Sequence, residues 1–147
     1  MPRRLSDIAA DLAVLTAHDF DYANTSAHGW ERLDALCDEI RAVNDPSACA
    51  PLLLGTMERL DGVDLGTPGP LVHTLEIWSG GYESLLLQSI QRKPSFLSVL
   101  MVNRILNARP VNADVWIALL RSVLDNPAAT AATRAEAQRF IEYQSGH

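Results

Sequence analysis

The stretch from Asp45 to Asn107 decides the fold, because three apolar segments within it each open at a proline. They read DPSACAPLLLGTMERLDG (45–62), GPLVHTLEIW (69–78) and KPSFLSVLMVNRILN (93–107). Each carries apolar residues at helical spacing and closes near Gly or Asn, residues that commonly end helices. Helices of this kind cannot bury their apolar faces alone. They therefore stack on one another as antiparallel hairpins.

The sequence on either side of this stretch also predicts helices. Leu5, Ile8 and Leu12 repeat at helical spacing, and the segment from Trp30 to Val43 has one apolar and one charged side. Further helices are expected to begin at Asn112, as a cap, and after the cap-and-proline signal Asn126-Pro127. No segment shows sustained alternation of apolar and polar residues. We therefore expect an all-α fold of seven to eight helices, either a HEAT-like short solenoid or an irregular helical bundle.

Two segments break the helical pattern and are predicted to be loops. The first, HDFDYANTS (18–26), combines acidic and aromatic residues. The second, VDLGTPGP (63–70), is the richest turn signal in the chain and follows a helix end at Asp61-Gly62. Loops carry function more often than the helices they connect. The two loops are therefore the first places to look for a binding surface.

Length and composition favour one compact domain spanning residues 1–147. A chain of 147 residues buries enough surface to fold without a disulfide or a metal. Cys37 and Cys49 lie among apolar neighbours and are expected to be small buried side chains. No apolar run is long enough to cross a bilayer, and no signal peptide is recognisable. The expected location is the cytoplasm.

The net charge of −6 is unevenly distributed along the chain. Residues 1–70 carry 12 acidic and 5 basic side chains, a net charge of −7, whereas residues 71–147 carry 6 and 7, a net charge of +1. An acidic half repels the phosphates of nucleic acids and attracts a basic protein partner. A solubilising surface is the alternative explanation.

One block of the sequence resembles a small family of bacterial proteins. It consists of LGTPGPLVHTLE (65–76) followed by GYESLLLQSIQRKPSFLSVLMVNRILN (81–107). The family is encoded beside polymorphic or contact-dependent toxins, and its members are regarded as immunity proteins. The resemblance implies a helical cytoplasmic protein that binds one cognate toxin domain and blocks its active site. Many such toxins are nucleases with basic surfaces, which an acidic inhibitor would suit.

Candidate contact residues for such a partner come from the loops and from the residues around Gly80-Gly81. Acidic loop residues would attract a basic partner, and aromatic residues beside turns are candidate interface anchors, although they are equally often core residues. The residues proposed for partner binding are Asp19, Asp21, Tyr22, Asp61, Asp64, Glu76, Trp78, Tyr82 and Glu83.

Two other function classes remain open from the sequence. His73 and Glu76, three residues apart on one helix face, form with Glu83 a candidate metal or acid–base site, although no second pair of ligands is recognisable. A general adaptor with several peptide ligands is the second alternative. No nucleophile motif, phosphate loop or zinc spacing is present. We therefore expect no catalytic residues, no cofactor, no metal and no nucleic-acid or membrane partner.

Overall fold

The computed structural model describes residues 3–146 and confirms the all-α prediction. This part of the chain contains eight α-helices, one 3-10 helix and no strand. The helices are α1 (Leu5–Ala13), the 3-10 helix (Ala17–Phe20), α2 (Gly29–Val43), α3 (Pro46–Arg59), α4 (Gly69–Ile77), α5 (Glu83–Arg92), α6 (Phe96–Asn107), α7 (Ala113–Leu124) and α8 (Ala131–Ser145).

The chain divides into two compact units, Met1–Tyr82 and Glu83–His147. In the first unit, α2 and α3 each pack against both α1 and α4, and the 3-10 helix packs against α2. In the second unit, α5 packs against α6 and α7, and α8 packs against the same two helices. Helices thus contact their second neighbours as well as their first. The single domain over 1–147, and the choice between solenoid and bundle, stay predictions.

Both cysteines lie in the core of the first unit, as predicted. Cys37 on α2 and Cys49 on α3 are free thiols with no exposed surface. Burial raises the pKa of the Cys37 thiol to about 11, since the thiolate is disfavoured away from water. A thiol with such a pKa is protonated at neutral pH and is a poor nucleophile.

Arg59, in the last turn of α3, fixes the end of α1. Its guanidinium donates to the carbonyl oxygens of Leu12 at 2.7 Å and Leu15 at 2.6 Å. The last carbonyls of a helix have no partner within the helix, and a cation there also opposes the helix dipole. One side chain thus binds a carbonyl in the last turn of α1 and a second one just beyond it, and joins the two helices.

Helix starts follow the predicted capping chemistry in some places and not in others. Helix α3 opens at Pro46, as predicted, and the Asp45 carboxylate caps it by accepting a hydrogen bond from the Ala48 amide at 3.3 Å. Asn112 stands at the N-cap of α7, which confirms the predicted helix start, but its side chain does not make the expected capping hydrogen bond. The start of α8 was misplaced. Thr130 caps this helix, whereas Asn126 accepts from the Ala128 amide within the preceding turn.

Gly29 allows the 3-10 helix to lie close against the start of α2. A Cβ atom on Gly29 would be 2.4 Å from the Asp19 carbonyl oxygen and 2.9 Å from the Phe20 ring. Both distances are too short for non-bonded atoms. Only glycine therefore permits this approach, which brings the first predicted loop against α2.

We expect Gly29→Ala to destabilise the protein by about 1–3 kcal/mol, because the added methyl group must displace the backbone at Asp19. Gly55→Ala is the matched control. Gly55 lies inside α3 with nothing within 4 Å of an added Cβ. Alanine there should stabilise the helix by about 0.5–1 kcal/mol. Urea unfolding of both variants measures the two effects, and equal shifts of the same sign would refute the steric argument.

Candidate functional site

The fold brings the two predicted loops together on the first unit. The phenol of Tyr22, in the first loop, donates a hydrogen bond to the Asp64 carboxylate in the second loop at 3.2 Å. The indole N–H of Trp30, at the start of α2, donates to the Asp64 backbone carbonyl at 3.0 Å. We call the surface formed by Asp21, Tyr22, Trp30 and Asp64 the Tyr22 patch.

Tyr22 is the most exposed aromatic residue of the patch and is held in place. Its side chain is 77% exposed, yet its ring stacks on Trp30 with centroids 4.6 Å apart and planes inclined by 26°. The hydrogen bond to Asp64 fixes the other end of the side chain. A rigid, exposed aromatic ring loses little conformational entropy when a partner covers it.

Trp30 supports the patch from beneath and was missed as a site residue. The sequence pattern assigned it to the apolar face of α2, but it is only half-buried. The Phe20 ring meets it edge-on at 5.6 Å, and the Tyr22 ring stacks on it. One signal was available in the sequence. A tryptophan in the first turn of a helix, directly after a loop, needs a partner for its indole N–H.

The acidic residues near the patch have different roles. Asp19 accepts from the Thr16 amide at 2.8 Å, which caps the 3-10 helix, and it also lies 3.7 Å from the Arg32 guanidinium. The negative charge of Asp19 is therefore largely balanced by these contacts within the fold. Asp21 accepts from the Ala23 amide at 2.9 Å but remains exposed. The exposed Asp64 accepts from the Gly66 amide at 3.0 Å through its second oxygen.

The patch belongs to the more acidic of the two units. Residues 1–82 carry 13 acidic and 5 basic side chains, a net charge of −8. Residues 83–147 carry 5 acidic and 7 basic side chains, a net charge of +2. The charge asymmetry predicted from the sequence thus follows the structural division. The unit that carries the Tyr22 patch is therefore net acidic, and such a charge attracts basic partners.

Trp78 and Tyr82 do not lie on the surface, which corrects their proposed role as anchors. Trp78 is 7% exposed and donates its indole N–H to the Asn44 side chain at 3.0 Å. Tyr82 is 3% exposed. Both side chains are core residues, the alternative that the sequence left open. A buried ring offers no area to a partner.

The remaining predicted contact residues are not part of the Tyr22 patch. Asp61 and Glu76 are half-buried, at the turn after α3 and on α4 respectively. Glu83 is half-buried and is the first residue of the second unit. Among the predicted contact residues, Asp21, Tyr22 and Asp64 are exposed, and Tyr22 contacts Asp64.

The candidate metal site at His73 begins on α4. His73 is exposed there, and Glu76 lies three residues further along the same helix. Within residues 3–146, no group of three or more His, Cys, Asp or Glu side chains is arranged to hold a metal ion. No helix in the same residues has the length and apolar character needed to cross a membrane.

Comparison of the chain with models of protein families, with curated protein sequences and with solved structures finds no match.

The Tyr22–Asp64 hydrogen bond predicts a measurable titration. Asp64 raises the pKa of Tyr22 above its ordinary value. The first cause is the hydrogen bond that Asp64 accepts from the phenol, and the second is the negative charge of Asp64. The stabilisation of the folded state by this hydrogen bond should therefore be fully present below a pH of about 10, the ordinary tyrosine pKa. It should be lost as pH rises through the pKa of Tyr22 in the folded state. We expect Asp64→Asn to lower the pKa of Tyr22.

Ultraviolet absorbance of the phenolate, followed against pH, measures this pKa. Tyr22→Phe assigns the transition among the three tyrosines. Asp125→Asn, which removes an exposed charge from the second unit, is the matched control and should leave the transition in place. A Tyr22 transition unchanged by Asp64→Asn would contradict the proposed hydrogen bond.

Proposed function

We propose that this protein is an immunity protein that binds one cognate bacterial toxin domain, a basic one, and blocks its active site. The observation that carries the proposal is the Tyr22 patch. It combines a rigid exposed aromatic ring with carboxylates, on a unit of net charge −8. The resemblance of residues 65–107 to immunity proteins supports the same function.

The patch has the chemistry expected of a contact surface for a basic protein. Tyrosine is enriched among the residues that dominate interface energies, and it offers both an apolar ring and a polar end. An arginine or lysine of the partner can lie over the exposed face of Tyr22. The same cation can pair with Asp64, which accepts the hydrogen bond of the Tyr22 phenol.

The charge of the first unit favours a partner with a positively charged surface. Complementary charge steers two proteins together and raises the association rate by roughly 10- to 1000-fold at low salt. A toxin that acts on nucleic acid needs a basic surface to bind phosphates. An acidic protein that covers this surface would exclude the substrate, and inhibition would need no chemistry from the inhibitor itself.

Co-purification with the product of the adjacent gene tests the proposal directly. The two proteins should form a stable complex, and the complex should lack the toxic activity. The proposal fails if the neighbouring gene encodes no toxin domain and no tight partner is recovered. Several weak peptide ligands in place of one tight partner would instead identify a general adaptor.

Association and dissociation rates separate the two roles assigned to the patch. Neutralising Asp21 and Asp64, the two exposed carboxylates of the patch, should slow association with the toxin domain roughly two- to tenfold at low salt. Neutralising Asp114 and Asp125 on the second unit is the matched control and should have less effect. Stopped-flow measurements of the association rate across a salt series test this expectation. A salt-independent association rate would leave the acidic charge as a solubilising surface.

Tyr22→Ala should act mainly on dissociation. If Tyr22 anchors the complex, its loss should weaken binding by about 2 kcal/mol or more, chiefly through a faster dissociation rate. Tyr143→Ala is the matched control, since Tyr143 is also exposed but lies on α8 in the second unit. Surface plasmon resonance gives both rates. Equal losses of affinity for the two variants would contradict the role of Tyr22 as an anchor.

A further inference from the structure

The second unit contains an open cleft of about 520 Å³ that the proposed function does not use. This volume falls within the range of small-molecule binding sites, roughly 300–1,000 Å³. The end of α6, the connection from α6 to α7, and parts of α7 and α8 form its walls. The lining residues are Leu106, Asn107, Arg109, Pro110, Ala113, Ile117, Tyr143 and Gln144.

Arg109 occupies a backbone position that favours glycine. Its φ angle is +54°, in the left-handed region that non-glycine residues rarely adopt. Helices commonly end with glycine in this conformation, which avoids the clash of a Cβ atom. Among residues 3–146, the other non-glycine residue with a positive φ angle is Asn44, and asparagine tolerates this conformation better than arginine. An arginine at this position points to a use for its side chain.

The charge of Arg109 is not neutralised within residues 3–146. No carboxylate in this part of the chain forms an ion pair with it, and the cleft lining contains no Asp or Glu. The first residue of α7, Ala113, also lines the cleft, and the Asn112 side chain does not cap this helix. Asp114, in the first turn of α7, does not line the cleft. Arg109 is therefore the one charged side chain among the lining residues.

A polar network forms another part of the wall. The Gln144 amide donates to the side-chain oxygens of Asn103 at 2.7 Å and Asn107 at 2.9 Å. Since the Asn107 oxygen accepts this bond, the Asn107 amide nitrogen is the group that remains to donate to a ligand. Leu106, Pro110 and Ile117 supply apolar surface beside these amides.

We propose that this cleft binds a small amphiphilic monocarboxylate, with Arg109 pairing with its carboxylate. One guanidinium balances one negative charge and matches the planar carboxylate geometry. The apolar body of the ligand would lie against Leu106, Pro110 and Ile117. The inference is independent of the proposed function, because all the lining residues belong to the second unit and none belongs to the Tyr22 patch.

Hexanoate is a suitable probe, with hexanamide as its neutral match and hexyl phosphate as the competing anion. Two-dimensional amide NMR of the full-length protein should show saturable shifts for residues 106–117 and 143–144 on addition of hexanoate. Hexanamide should bind at least about tenfold more weakly, since it lacks the charge-assisted hydrogen bonds. Hexyl phosphate should bind no more tightly than hexanoate.

Two substitutions test the role of Arg109 in binding. Arg109→Gln and Arg109→Gly should each weaken hexanoate binding at least about tenfold. The glycine variant suits the positive φ angle, so its backbone should stay folded. Arg121→Gln, an exposed arginine of α7 outside the cleft, is the matched control and should bind normally.

Four outcomes would overturn the assignment. The first is the absence of saturable shifts with hexanoate, and the second is equal binding of hexanamide. The third is full hexanoate binding by both Arg109 variants. The fourth is tighter binding of hexyl phosphate than of hexanoate, which would assign the cleft to phosphate esters instead.

Discussion

The candidate site depends on the contacts of Trp30. Its indole ring separates two aromatic neighbours, Phe20 edge-on in the core and Tyr22 stacked towards solvent. Its N–H binds the backbone of Asp64, so a single side chain holds both loops against α2. Loops of this composition would otherwise be mobile, because few apolar contacts oppose their conformational entropy. Trp30 therefore joins the two loops into one surface through its contacts with Tyr22 and Asp64.

Some carboxylates of this protein stabilise helix starts, whereas others are exposed to solvent. Asp19 and Asp45 each accept a backbone N–H at a helix start, and a carboxylate fixed in this way contributes to the fold before any partner arrives. Asp21 and Asp64 also bind backbone amides, but they remain exposed. Net charge alone does not distinguish these groups. The exposure and the hydrogen bonds of each carboxylate do distinguish them. These two properties show which acidic residues of the first half of the chain are accessible to a partner.

The two units carry different chemistry. The first has a net charge of −8 and an exposed aromatic patch, which are features of a surface that recognises a basic protein. The second has a net charge of +2 and a cleft lined by Arg109, which forms no ion pair with any carboxylate of residues 3–146. The proposed partner surface and the proposed ligand cleft thus lie in different units.

The sequence by itself determined the helical class, most helix positions, the buried cysteines and the uneven charge. These properties depend on local periodicity, on proline and glycine, and on composition, all of which are readable along the chain. The start of α8 and the capping role of Asn112 were wrong, because Asn-Pro and Asn signals fit turns as well as helix caps.

Only the tertiary structure decided which residues form a surface. Trp78 and Tyr82 were as plausible as Tyr22 in the sequence, since all three aromatic residues lie next to turns. Their exposure depends on contacts with distant residues such as Asn44, 34 positions away from Trp78. The meeting of Tyr22 with Asp64, 42 positions apart, is likewise non-local. Local pattern cannot encode such pairings, because helix packing and the close approach at Gly29 set them.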